Sequence, residues 1–159
     1  IGRRVAAVGQ ALGMKVIAFD PWAETFPEGC TSVTFPQLLG SADVISLHCP
    51  LIEQNSKMIN DEALAQCQPG TILVNTARGG LIDDEALLRA LDNGTLSWAA
   101  LDSFTSEPLT APHIWQQVEN VIISPHIGGV SHDSYINMGC MAASNVLEVL
   151  GEAEWDGVA

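Results

Sequence analysis

Positive charge is the scarcest feature of this 159-residue chain: six Lys and Arg stand against nineteen Asp and Glu, for a formal net charge of -13. Arg3, Arg4, Lys15, Lys57, Arg78 and Arg89 are scattered, not clustered. Without a basic stripe nothing neutralises a run of phosphates, which argues against nucleic acid and against an anionic membrane surface as partners. No apolar run reaches the roughly 20 residues that cross a bilayer, and the opening IGRRVAAVGQ lacks the apolar centre of a secretion signal. Cysteine is sparse as well. Cys30, Cys49, Cys67 and Cys140 show no metal-ligand spacing, so no metal is expected and the four read as free thiols in a reducing compartment. Cytoplasm is the expected location. There is no internal repeat and no low-complexity linker.

What is present is a globular composition, 47% hydrophobic and 16% charged, in a chain long enough for one domain with a real core. Apolar runs of strand length alternate with helical patterns, which predicts parallel strands joined by crossover helices. Ile1 to Leu12 reads as a helix, with Val5, Val8 and Leu12 on one face and Gly13 as its stop. Strands are expected at Lys15–Phe19, Thr31–Phe35, Asp43–His48, Thr71–Thr76, Ser97–Ser103 and Val121–Ser124. Helices are expected at Pro36–Ser41, Asp61–Gln66, from Asp83 or Asp84 to Leu91, and from Ser131 to about Leu150. The stretch from Asp102 to Gln117 is long for a compact connection, and such loops are usually functional or disordered.

The first helix begins abruptly at Ile1-Gly2, and Asp20 closes the next strand 18 positions after Gly2. An acid about 20 residues beyond the last glycine of a dinucleotide fingerprint holds the ribose hydroxyls. The first strand and the first two glycines of that fingerprint are missing, and Asp20-Pro21 reads equally well as a turn. In the Rossmann-type doubly wound order the first strand lies mid-sheet, with helices on both faces. Without it, its neighbours stand about 9–10 Å apart, leaving buried ladder groups that cost about 1–3 kcal/mol each. The residues are therefore expected to be part of a longer chain that supplies this strand.

Three loops follow three successive strands, and each carries ionisable groups. NTARGGLIDDEAL holds Arg78, LDSFTSEP holds Asp102 and Glu107, and SPHIGG holds His126. In an open parallel sheet, loops leaving the carboxyl ends of the strands converge on one crevice where ligands bind. Arg78 stands in an otherwise uncharged stretch from Thr71 to Ile82, unlike a solvated surface charge. Taken singly, an Arg beside two glycines reads as a turn cap, a Glu-Pro as a loop, and a His after a strand as a structural residue.

Taken together and in order, IGRRVA, AFDPW, ADVISLHCPL, INDEAL, PGTILVNTARGGLIDDEALLRAL, ALDSFTSEP and NVIISPHIGG resemble the D-2-hydroxyacid dehydrogenase family. The resemblance covers nearly the whole chain. It implies an NAD-dependent enzyme that passes a hydride between the cofactor and a small 2-hydroxy or 2-oxo acid. It implies a catalytic triad of Arg78, Glu107 and His126: the arginine on the substrate carboxylate, the histidine as acid and base, the glutamate on its other ring nitrogen. Those roles suit the chemistry of the three groups.

By the same resemblance, Ile1 and Gly2 lie at the cofactor pyrophosphate. Asp20 holds the ribose and repels a 2'-phosphate, favouring NAD over NADP. Cys49 and Pro50 line the adenosine side, and Thr76 and Ala77, next to Arg78, lie beside the nicotinamide. Asp102 holds the carboxamide, while Gly128 and Gly129, following His126, allow close approach. Residues 1–129 form the NAD-binding domain. Residues 130–159 form a long helix and tail leading towards a substrate domain built mostly from upstream residues. A homodimer is expected from the family.

Departures from the family pattern are Ile52 and Asn55, where many relatives have Thr, and Ser103, where Val is usual. His48 reads as a loop residue shaped by Pro50, and His113 and His132 as surface groups. Trp22, Trp98, Trp115 and Trp155 read as packing residues; Trp155 would dock on an absent segment or a second subunit. Corepressor-type modules that sense NAD share the fold and the triad, so a binding module is the alternative. Formate dehydrogenases usually carry Gln at the position of Glu107, which argues against that branch.

Overall fold

The computed structural model describes residues 1–151; Trp155 lies outside them. The chain divides into two compact units, Ile1–Pro125 and His126 onward.

The first unit alternates helix and strand. Helix α1 (Gly2–Ala11) leads to β1 (Val16–Ala18), then β2 (Cys30–Ser32), α2 (Phe35–Leu39), β3 (Val44–Leu47), α3 (Asp61–Leu64), β4 (Thr71–Asn75), α4 (Asp84–Asp92), β5 (Leu96–Leu101) and β6 (Val121–Ile123). Short 3-10 turns cover Glu53–Asn55, Gly79–Leu81 and Ile114–Gln117. All strand pairs are parallel, in the orders β1-β2 and β3-β4-β5-β6. This is the Rossmann-type α/β arrangement anticipated from the alternation of strand and helix patterns. The break in pairing falls between β1 and β3, where the doubly wound order runs its first strand.

The core is centred on β3, β4 and β5 with α4 against them. Leu47, Leu73, Leu87, Leu96, Ala99 and Leu101 are buried. Burial alternates along β4, with Thr71, Leu73 and Asn75 buried and Ile72 and Val74 half-buried. Trp115 joins this core, whereas Trp22 and Trp98 are exposed. Asp83 caps α4 by accepting from the backbone N–H of Glu85 and Ala86, and it pairs with Lys57 at 2.9 Å.

Some local expectations need correction. The second strand ends at Ser32 instead of running from Thr31 to Phe35. Thr34 instead caps α2, its hydroxyl accepting from Gln37 N–H while Gln37 Oε1 accepts from Thr34 N–H. This capping box outweighs the β propensity of the Val-Thr-Phe run. Val5, Val8 and Leu12, which share one face of the first helix pattern, are all exposed, and no residue of α1 is buried. His113, read as a surface group, is half-buried, and its Nδ1 has no hydrogen-bond partner among the described residues.

The second unit holds α5 (His132–Leu150), capped by Ser131 and stopped by Gly151 in the left-handed conformation, φ 72°. It presents Tyr135, Ile136, Met138, Met141, Val146 and Val149 as exposed apolar side chains. Among the described residues, no helix is long and apolar enough to cross a membrane.

Two stability predictions follow from the α4 contacts. Leu87→Ala should cost about 2–5 kcal/mol in urea unfolding, the range for deleting a fully buried Leu side chain. The hydrogen bond from Lys57, helped by that from Ala86 N–H, holds the Asp83 carboxyl below its ordinary value of 3.8. A carboxyl with a depressed folded pKa stabilises the fold above the unfolded value, and this is lost as the pH falls through the folded one. Asp83→Ala should therefore lower the Tm at neutral pH, and its difference from the parent should shrink as the pH drops below 3.8.

Candidate functional site

Three chain segments meet where β1 and β3 end. The start of α1 lies against the end of β3: a β-carbon added to Gly2 would sit 3.4 Å from His48 Cβ. The first turn of α1 carries no acidic residue, so no side chain of that turn offsets the positive end of the helix dipole. At the end of β1, Asp20 is exposed and its Oδ1 accepts from Trp22 N–H at 2.9 Å. Asp20 is close enough to Cys49 to act on it: burial pushes the Cys49 thiol up, and the Asp20 charge adds to the rise. Burial also lowers the pKa of His48, whose Nε2 lies 2.9 Å from Ser46 Oγ.

The loop beyond Cys49 is folded by Asn55. Its Oδ1 accepts from Ile52 N–H, and its Nδ2 donates to the Pro50 carbonyl, both at 2.8 Å. The departure at Asn55 is thus a self-contained loop clamp. A helix start without acidic residues, a glycine closely apposed to the neighbouring strand end and an acid beyond β1 fit the two halves of a dinucleotide: pyrophosphate at the helix, ribose at the acid.

A second cluster forms beyond β4 and β5. Arg78 and Thr76 are exposed, with Arg78 Nη1 donating to the Ala77 carbonyl at 2.6 Å. Behind them Asn75 is fully buried; its Nδ2 donates to Arg78 O at 2.9 Å and its Oδ1 accepts from Ala77 N–H at 3.0 Å. Asp102 is buried, donates its N–H to Asn75 O at 2.9 Å, and accepts from Ser124 Oγ at 2.5 Å. Glu107 Oε1 accepts from Phe104 N–H at 2.8 Å. A β-carbon on Gly79 would overlap the Phe104–Thr105 main chain, so the loops bearing Arg78 and Glu107 touch backbone to backbone.

The first unit thus gathers Gly2, Asp20 and Cys49 in one cluster, and Thr76, Ala77, Arg78, Asp102 and Glu107 in another. Ile1, at the head of α1, is exposed, as is Pro50. His126 opens the second unit, exposed, with a φ of 54°. A non-glycine residue in that region costs about 1–2 kcal/mol, and such outliers cluster at functional positions. Gly128 and Gly129 follow it, both exposed. Reading the residues one at a time overlooked Asn75, Gly79 and Ser124. An amide ending the apolar run TILVN was the available signal, because such a group is buried only with partners.

Residues 1–128 match the family described as D-isomer specific 2-hydroxyacid dehydrogenase, NAD binding domain. The chain belongs to that family. It is 41% identical to (S)-sulfolactate dehydrogenase of Chromohalobacter salexigens over 95% of its own length and 50% of the relative's. It is 37% identical to D-3-phosphoglycerate dehydrogenase of Synechocystis sp., over 94% of this chain and 27% of that protein. The NAD-complexed D-isomer specific 2-hydroxyacid dehydrogenase from Lactobacillus delbrueckii superimposes with a TM-score of 0.84 at 30% identity, covering 100% of this chain and 53% of that one. The chain therefore spans about half the length of the sulfolactate relative and less of the phosphoglycerate one.

Against the family pattern, the departure at Ser103 has a structural consequence. Its hydroxyl is buried beside Asp102 and has no hydrogen-bond partner among the described residues. A buried hydroxyl without a partner is destabilising. Ser103→Ala should raise stability by about 1 kcal/mol in urea unfolding; a loss of that size would show that the hydroxyl has a partner in solution.

Proposed function

We propose that the protein bearing this domain is an NAD-dependent 2-hydroxyacid dehydrogenase using Arg78, Glu107 and His126. The family match across residues 1–128, a span that contains all three residues, supports the reading. When bound, the nicotinamide accepts or supplies the hydride. The chain holds it with Ile1 and Gly2 at the pyrophosphate, Asp20 at the ribose, and Cys49 and Pro50 at the adenosine side. Thr76, Ala77, Asp102, Gly128 and Gly129 line the nicotinamide end.

In this reading Arg78 grips the substrate carboxylate through its planar fork of donors and polarises the adjacent carbon–oxygen bond. His126 takes the hydroxyl proton on oxidation and returns it on reduction. Glu107 binds the other ring nitrogen, which sets the tautomer and stabilises the imidazolium. Residues 1–129 act as the cofactor domain, and 130–159 lead towards the substrate domain. The exposed apolar side chains of α5 support a homodimer, and the composition a cytoplasmic setting.

Turnover of NADH with glyoxylate, hydroxypyruvate or a similar 2-oxo acid by the intact protein tests the activity; binding without turnover would support a sensing module instead. His126→Asn should cut kcat by about 100-fold or more, the low end of what general acid–base catalysis contributes, with NADH affinity retained. Unchanged turnover would refute the role of His126. Because Asp20 sits at the end of β1 with no basic neighbour in PWAETF, NADH should bind more tightly than NADPH in fluorescence titrations, and Asp20→Ala should narrow the gap.

A further inference from the structure

We infer that Asn75 is a positioning residue: its buried carboxamide holds the main chain that aims Arg78, and the same frame holds the loop carrying Glu107. This rests on the proposed role of Arg78 as the carboxylate-binding residue. Asn75 ends β4 and is 0% exposed, yet it does not use its side chain within the sheet. Both polar atoms of the amide turn forward, Oδ1 to Ala77 N–H at 3.0 Å and Nδ2 to Arg78 O at 2.9 Å. Its own carbonyl accepts from Asp102 N–H, so one residue ties β4, β5 and the loop beyond them.

Arg78 O also accepts from Leu81 N–H at 3.2 Å, which closes the Gly79–Leu81 turn. That turn cannot move outward or back. On one side Lys57 N–H donates to Gly80 O at 2.8 Å, and a β-carbon on Gly80 would meet Leu51 Cδ2 at 2.7 Å. On the other side Gly79 lies on the Phe104–Thr105 main chain. From there Phe104 N–H donates to the Glu107 carboxylate at 2.8 Å. Arg78 is exposed, but the backbone that aims its side chain is bonded on both flanks of its own peptide. Releasing the Nδ2 bond therefore leaves the Arg78 carbonyl with the longer bond from Leu81 N–H at 3.2 Å, while the pairing of β4 is untouched.

Asn75→Asp keeps the acceptor for Ala77 N–H and removes the donor to Arg78 O. In the intact protein it should raise the KM for a 2-oxo acid by about tenfold, the loss of one buried hydrogen bond, with NADH affinity changed by less than about twofold. Burial raises the pKa of a carboxyl at this position, and its protonated form regains a donor. The ratio of variant to parent KM should consequently shrink as the pH is lowered from about 8 to about 5.5. If that variant does not fold, Asn75→Ser, which cannot span both backbone groups, should show the same split between KM and NADH affinity. An unchanged KM in the folded variant, or KM and NADH affinity weakening in parallel, overturns the inference. Arg78→Gln separates the two layers. If it leaves the KM unchanged, the carboxylate-binding role of Arg78 fails; if it raises the KM while Asn75→Asp does not, only the positioning role fails.

Discussion

A carboxamide excluded from water must find partners for both its donor and its acceptor, and at Asn75 those partners are the two peptide groups of the adjoining loop. The alternating burial of β4 turns the side chain of its last residue inward, so the strand's final inward position becomes a bracket for the chain that follows. Parallel pairing then brings β5 alongside, with Asp102 N–H on the Asn75 carbonyl. Everything at the carboxyl edge of β4 and β5 inherits its position from this point.

The two clusters of the first unit are built on different principles. At α1 and β1 the useful groups are backbone N–H groups and a surface carboxylate, and they are placed by helix start and strand end alone. At β4 and β5 they are side chains on irregular loops, and these need brackets: Asn75 inside, Gly79 against Phe104–Thr105, and Phe104 N–H on Glu107. Asn55 provides a third bracket, for the loop after β3. Loops that carry chemistry on a rigid scaffold are usually stiffened by such contacts. His126 differs again, because its unusual backbone conformation is set at the first residue of the second unit.

Periodicity and composition alone determined the parallel α/β class, the helix start at Asp83 or Asp84 and at Ser131, and the stop at Gly13, because each depends on local residue order. The runs DVISLH and TILVNT were legible as strands since their apolar side chains leave no amphipathic alternative. The motifs likewise marked Arg78, Glu107 and His126 as candidates. Tertiary structure decided what local order cannot express. The apolar face of α1 stayed exposed, since no residue of that helix is buried. The brackets around Arg78 and Glu107 also emerged only in three dimensions. Gly79 and Phe104–Thr105, like Asn75 and Asp102, are 25 or more positions apart, and a hydrogen bond or backbone contact across that separation exists only once the parallel ladder has set its two sides in register.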